Sequence, residues 1–233
     1  MSIPSFYEPQ LLLGETTFTL SEESSKHCAQ VLRMQAGDAL TITNGMGIIV
    51  TASIAIPHKK NTIVTIQSQQ TIPAAAQKII LGISLLKNAV RLEWLFEKAA
   101  EMGVHTIVPL ICERTIHERF KMERMQNILQ SAMIQSQQAW LPKLATPCDY
   151  EKFLTTYSAV QKLIAHCEDG EKSNIKSIQA SNDCILIIGP EGDFTHKEIE
   201  QALANQFQPI HLGPTRLRTE TAGIFALSVL KNF

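Results

Sequence analysis

The spacing of apolar positions changes once along the chain. Up to about residue 72 they recur every second position in short runs, whereas from Lys78 continuous apolar runs alternate with stretches of helical spacing. In the first part, Phe18 and Leu20 end a strand. Ser21 with Glu22 and Glu23 then caps a helix expected to reach Leu32 or Arg33, with His27, Cys28 and Val31 turned inward. Ala36, Gly37 and Asp38 turn the chain. The runs 39–43 and 48–56 about Asn44-Gly45-Met46-Gly47 predict a hairpin, and 62–67 predicts a closing strand. The polar, proline-containing stretch 69–77 reads as a linker, so the division is a mainly β unit over 1–72 and an α/β unit over 73–233.

In the second part, 79–86, 104–111 and 160–165 read as strands. Leu92, Leu95, Phe96, Ala99 and Met102 predict a helix stopped by Gly103. A longer helix over 120–137 has Met122, Met125, Leu129, Ala132 and Met133 on its apolar side. Such alternation implies a mostly parallel sheet with helices on its faces.

The stretch 184–222 organises the whole. Its first five residues are uncharged and largely branched, as in a strand covered on both faces, and they stop at Gly189, Pro190, Glu191 and Gly192. Thr195 and Glu198 form a capping box for a helix to about Asn205. A short strand over 209–212 follows, Gly213 and Pro214 break it, and Arg216 to Thr219 lead into an apolar helix from about Glu220 to Leu230. Two glycine-bearing loops at strand ends mark where an open α/β sheet takes a ligand.

Composition narrows the partner little. In 233 residues, 21 Lys and Arg oppose 22 Asp and Glu, and neither part is basic, so any RNA contact rests on local arrangement. Five scattered cysteines without a Cys-x-x-Cys pair suit a reducing cytoplasm and argue against a zinc site. The seven histidines are too dispersed for a metal centre, and no signal peptide or membrane segment is read.

Loop 189–194 lacks the glycine spacing of a dinucleotide site and the Gly-Lys-Ser/Thr end of a phosphate loop. Glu191 and Asp193 suit a cationic or zwitterionic ligand better than a phosphate, although a plain strand-to-helix turn explains the glycines equally well. Arg216 and Arg218 share one side of an extended segment and could meet a phosphate or a heterocycle edge. The alternative is an Arg218–Glu220 ion pair holding the loop. Lys87, Arg91 and Arg114 follow strand ends near the same mouth.

Three blocks in order, GPEGDF at 189–194, LG at 212–213 and RLRTETA at 216–222, resemble the signature of the RsmE family, the 16S ribosomal RNA uridine-N3 methyltransferases of the SPOUT superfamily. LEWLFEKAAEMGV at 92–104, the segment 107–115 with Pro109, Glu113 and Arg114, and KHCAQVLRMQAGD at 26–38 are similar to other blocks of that family. The resemblance implies an N-terminal PUA-like β-barrel domain followed by a SPOUT α/β domain with a C-terminal trefoil knot. It also implies a cytoplasmic homodimer that uses S-adenosyl-L-methionine on 16S rRNA in the small ribosomal subunit. By the same resemblance, Gly189, Pro190, Glu191, Gly192, Leu212, Gly213, Leu217, Arg218 and Thr219 hold the cofactor, with no β-carbon tolerated at Gly189, Gly192 and Gly213. Arg218, Glu220 and Arg114 are the catalytic candidates, and Lys26, Arg33, Lys87 and Arg91 the RNA contacts.

The chain departs from the family's common pattern at Ile134 and Gln138, where an acid and an arginine are usual, and at Asp193, where glycine is commoner. Two rival readings share the fold: a SPOUT enzyme acting on another RNA position, against which the block at 26–38 argues, and a non-catalytic RNA-binding or assembly factor, against which the intact cofactor loops argue.

Overall fold

The structure is a computed structural model that describes residues 3–116 and 119–231; His117, among the histidines considered above, lies outside the described residues. The chain forms two compact units, one of residues 1–74 with 130–141 and the other of 75–129 with 142–233.

The first unit is a five-stranded sheet of β1 (Ser5–Tyr7), β2 (Thr17–Thr19), β3 (Ala39–Thr43), β4 (Ile48–Ile56) and β5 (Ile63–Thr71), in the order β1-β3-β4-β5-β2. The β1–β3 pair is parallel and the others antiparallel. Alternation along β4 buries Val50, Ala52 and Ile54 among Phe6, Leu11, Leu20 and Leu40. The predicted turn holds its form because Asn44 Oδ1 accepts from the amides of Met46 (2.8 Å) and Ile48 (3.0 Å).

Two expectations for this unit are corrected. The helix after Ser21 is regular only as α1 (Glu22–Lys26) and continues as a π-helical turn, His27–Val31, in which the Leu32 amide reaches the His27 carbonyl at 2.9 Å. The wider turn rotates the side chains off the 3.6-residue stripe, so Cys28 is buried while His27 and Val31 face solvent. The linker begins later than expected, because 69–71 belong to β5 and pair with 48–50. Gln69 hides this strand end from a hydropathy reading: its side chain accepts from the Gly14 amide and donates to the Glu15 carbonyl.

The second unit is built on a parallel sheet of β6 (Lys78–Ser84), β7 (Thr106–Ile111), β8 (Lys143–Leu144), β9 (Cys148–Asp149), β10 (Gln161–Ala165), β11 (Ser173–Asn174), β12 (Asp183–Ile188) and β13 (Gln208–His211). Its order is β11-β13-β10-β12-β6-β7-β8, with β9 also on β7, and every paired strand runs parallel. The central strands are apolar on both faces because helices cover both. These are α2 (Ala89–Glu101), α4 (Tyr150–Thr156), α5 (His196–Ala204) and α6 (Thr219–Leu230), while α3 (Met122–Gln135) belongs to the second unit up to residue 129 and to the first from residue 130. Asn88 caps α2 by accepting from the Val90 amide, and Gly103 follows its end at φ +67°. The apolar side of α3 is buried at Met125, Leu129, Ala132 and Met133. Gly223 lets α6 lie close to α2, since a β-carbon there would come within 2.9 Å of the Leu95 side chain. No helix among the described residues is long and apolar enough to cross a membrane.

Candidate functional site

Three neighbouring parallel strands, β13, β10 and β12, release their chains at the same carboxyl edge. The segments that follow them enclose a cavity of about 620 Å³, within the ordinary range of small-molecule sites. Of the expected cofactor residues, Gly189, Pro190, Glu191, Leu212, Gly213, Leu217, Arg218 and Thr219 line it, and Gly192 does not.

Loop 189–194 is braced from several directions. Asp193 adopts φ +65°, a conformation natural to glycine, and its carboxylate accepts from the Cys167 amide (2.7 Å) and from the Phe194 amide (2.9 Å). The unusual aspartate therefore ties this loop to the segment after β10. Arg114 donates to the carbonyls of Gly192 (2.8 Å) and Phe194 (3.2 Å), and the Glu191 carboxylate accepts from the Lys87 amide (3.1 Å). Behind the loop, buried Glu198 accepts from the amides of Thr195 and Glu113, both at 2.8 Å, completing the capping box of α5. Burial together with the Glu198 charge pushes the Cys112 thiol up to about 12.

The three glycines differ. A β-carbon on Gly189 would lie 3.0 Å from the Phe194 ring, and Gly213 at φ +128° is closed to side chains by its backbone. At Gly192 a β-carbon would meet only the Arg114 side chain at 3.4 Å, an ordinary contact. Against the chain's own atoms, a β-carbon is thus disfavoured at Gly189 and Gly213 and accommodated at Gly192.

The segment 212–217 makes no hydrogen bond or ion pair among the described residues. Arg216 and Arg218 are exposed at the cavity rim, with Leu217 half-buried between them. The Arg218–Glu220 pair raised above does not form. Glu220 is buried in the first turn of α6 and faces Arg91, its Oε1 lying 3.6 Å from Arg91 Nε, while its Oε2 is buried without a hydrogen-bond partner among the described residues. Arg114, Glu220, Lys87 and Arg91 all lie outside the lining, while Lys26 and Arg33 are exposed in the first unit, Arg33 at φ +54°. Ile134 and Gln138 are also outside it, Gln138 donating to the Ser136 hydroxyl at 3.0 Å.

His166, Cys167 and Lys172 line the cavity and were not singled out by sequence. Both ring nitrogens of His166 are buried without a hydrogen-bond partner among the described residues. Burial, reinforced by Lys172, holds its value below the ordinary imidazole range against the pull of Asp193 and Glu168. Its position directly after a strand was the available signal, the same one that marks Gly189. A cavity with glycine turns, a buried imidazole that makes no hydrogen bond among the described residues, and braced carboxylates fits a zwitterionic ligand carrying both hydrogen-bonding and cationic groups.

Comparison with known proteins finds RNA methyltransferases similar to this chain. Residues 73–231 match the model of an RNA methyltransferase domain, and 20–67 that of an RNA methyltransferase PUA domain. Ribosomal RNA small subunit methyltransferase E of Buchnera aphidicola (subsp. Acyrthosiphon pisum) is 32% identical, across 98% of this chain and 93% of its own. The protein of the same name from Synechocystis is 30% identical, across 92% and 72%. Among solved structures, a Legionella pneumophila protein in complex with its bound cofactor SAM superposes with a TM-score of 0.90 at 34% identity, covering 100% of this chain and 98% of the other. Ribosomal RNA small subunit methyltransferase E from Neisseria gonorrhoeae, bound to S-adenosyl methionine, gives a TM-score of 0.90 at 29% identity, covering 99% and 98%.

Proposed function

The chain belongs to the ribosomal RNA small subunit methyltransferase E family, and we propose that, as an S-adenosylmethionine-dependent methyltransferase of 16S ribosomal RNA, it methylates N3 of one uridine in the decoding region of the assembled small subunit. The observation that carries the reading is the convergence of the GPEGDF and RLRTETA blocks on one cavity at the carboxyl edge of the sheet.

S-adenosylmethionine, when bound, supplies a methyl group already activated on a sulfonium. Gly189, Pro190, Glu191, Leu212, Gly213, Leu217 and Thr219 would hold it, largely through backbone groups, with His166 completing a ring hydrogen bond that the protein leaves unmade. Gly192 contributes the carbonyl through which Arg114 fixes the loop. Uracil N3 must release its proton to water at the open rim as it takes the methyl group from the sulfonium, which is left a neutral thioether. Arg218, free at the rim, stabilises the negative charge on the base. Arg114 and Glu220 act by positioning, the first through the glycine loop and the second through Arg91. Lys26 and Arg33 in the 1–72 domain, with Lys87 and Arg91 in the 73–233 domain, contact phosphates and set the register of the RNA.

The trefoil knot of the family is part of this reading. It is supported by β12 and β13 lying on opposite sides of β10 and by the return of α6 to α2 and β6. A homodimer is supported by Val90, 71% exposed on α2, and by half-buried Ile224 and Phe225 on α6. Five free cysteines fit a cytoplasmic enzyme. The test is transfer of labelled methyl groups to unmethylated small subunits followed by mass spectrometry of the digested RNA. N3-methyluridine at one site is the expected product, and methylation of a ribose or another base atom would overturn the assignment.

A further inference from the structure

In the first unit, Trp140 is attached to the turn between β3 and β4 by a set of contacts that fix its ring. Its indole Nε1 donates to the Ile72 carbonyl at 3.0 Å. The Gly47 amide donates to the Ala139 carbonyl, and the Leu141 amide to the Gly45 carbonyl, both at 2.9 Å, with a bridge between Met46 and Trp140. Gly47 sits so close beneath the ring that a β-carbon would lie 2.7 Å from Trp140 Cζ2 and 2.8 Å from the Ile72 carbonyl oxygen. The turn beneath is equally filled, since a β-carbon on Gly45 would meet the Tyr7 ring at 2.9 Å.

An indole held this firmly is ordinarily core, yet Trp140 is 39% exposed, its neighbour Met46 is 58% exposed, and no aromatic ring lies against Trp140 among the described residues. The segments that meet there, 44–48, 70–73 and 136–142, contain no Asp or Glu, so they carry no side-chain charge that would repel a phosphate chain. Exposed Gln137, with its backbone at φ +55°, adds an amide that can donate and accept. The turn Gly45–Gly47 also falls inside the stretch matching the RNA methyltransferase PUA domain.

We propose that Trp140, with Met46 beside it, is a stacking platform for one unpaired nucleobase of the RNA substrate. The inference rests on the RNA-methylating reading above and adds to it a base contact outside the cofactor site. A ring already fixed loses little freedom on binding, and stacking tolerates any base. The platform therefore serves to hold a single-stranded or splayed nucleotide rather than to read its identity.

Tryptophan emission tests this directly in the full chain. In a Trp94→Phe background Trp140 is the one remaining tryptophan, and the protein is titrated with a labelled, short unpaired RNA and with small subunits. Trp140 emission is expected to quench in step with the anisotropy of the strand. Trp140→Ala should weaken binding of the strand about ten- to a hundredfold, with Trp140→Phe close to the parent and S-adenosylmethionine affinity unchanged in both. RNA binding with unaltered emission and an indifferent Trp140→Ala would overturn the platform while leaving the methyltransferase reading intact. Emission that follows protein concentration instead of RNA would assign the surface to a second copy of the chain. Because the emission readout uses the native ring, a poorly folding alanine variant does not remove the test. Failure to transfer methyl groups to small subunits, with the quench present, would instead count against the parent reading.

Discussion

The two segments that face each other across the cavity are built in opposite ways. Loop 189–194 is held by Asp193, Arg114, the Lys87 amide and, behind it, Glu198, whereas 212–217 has no hydrogen bond or ion pair among the described residues. In the proposed reading, one wall is set before the cofactor arrives and the other is left to be ordered by it. The difference assigns separate tasks: the braced wall presents backbone groups at fixed positions, and the open wall carries the two exposed arginines to whatever enters.

The strongest way to break this division is on the open wall. Arg218→Ala is expected to lower methyl transfer about 10²- to 10³-fold, with cofactor affinity and melting temperature near those of the parent. Single-turnover transfer assays beside a thermal melt would check it, and a matching loss of cofactor affinity would mean that the arginine binds rather than stabilises charge. On the braced wall, Gly189→Val forces atoms against the Phe194 ring. An overpacking cost of about 1–3 kcal/mol should appear as a loss of cofactor affinity by calorimetry, of roughly ten- to a hundredfold.

Arg114→Ala sharpens the comparison further. Two bonds from an exposed guanidinium to loop carbonyls are lost, so a net cost of about 1 kcal/mol is expected, read as a several-fold weaker cofactor affinity with the chemical step intact. A slower chemical step at saturating cofactor would return Arg114 to direct contact with the base. Asp193→Gly should have a smaller effect, because relief of the left-handed backbone offsets the lost brace to Cys167; the expected stability change is within about 1 kcal/mol, measured by denaturant titration.

The least conspicuous effect is in pH. The folded chain holds His166 below the ordinary imidazole value, so the folded state favours the neutral ring. The stability tied to that preference is complete above the unfolded value and is lost as pH falls through the lowered folded value. His166→Gln should flatten this acid limb in a pH series of melts.

How much of this was legible in the chain follows from the range of the interactions. The capping box at Thr195 and Glu198, the stop of β12 at Gly189 and the core side of α3 are local patterns, and the structure reproduces them. His166 was missed because its role depends on β10 lying between β12 and β13, a strand order that no local period encodes. The Arg91–Glu220 pair joins residues far apart in sequence, so the nearer Arg218 looked like the natural partner. The π-helical turn defeated the burial pattern after Ser21 because a 3.6-residue stripe assumes i,i+4 bonding throughout. Trp140 was invisible for a related reason: nothing in 136–142 announces that Gly47 lies beneath its ring.

Hydrogen exchange of the full chain with and without S-adenosylmethionine tests the two-wall account most directly. The expected result is slow exchange at the bonded amides of Asp193 and Phe194 already in the free protein, with new protection on adding cofactor concentrated in 212–218. Equal protection of both segments in the free protein, or cofactor-induced protection confined to 189–194 or lying away from the cavity, would contradict it.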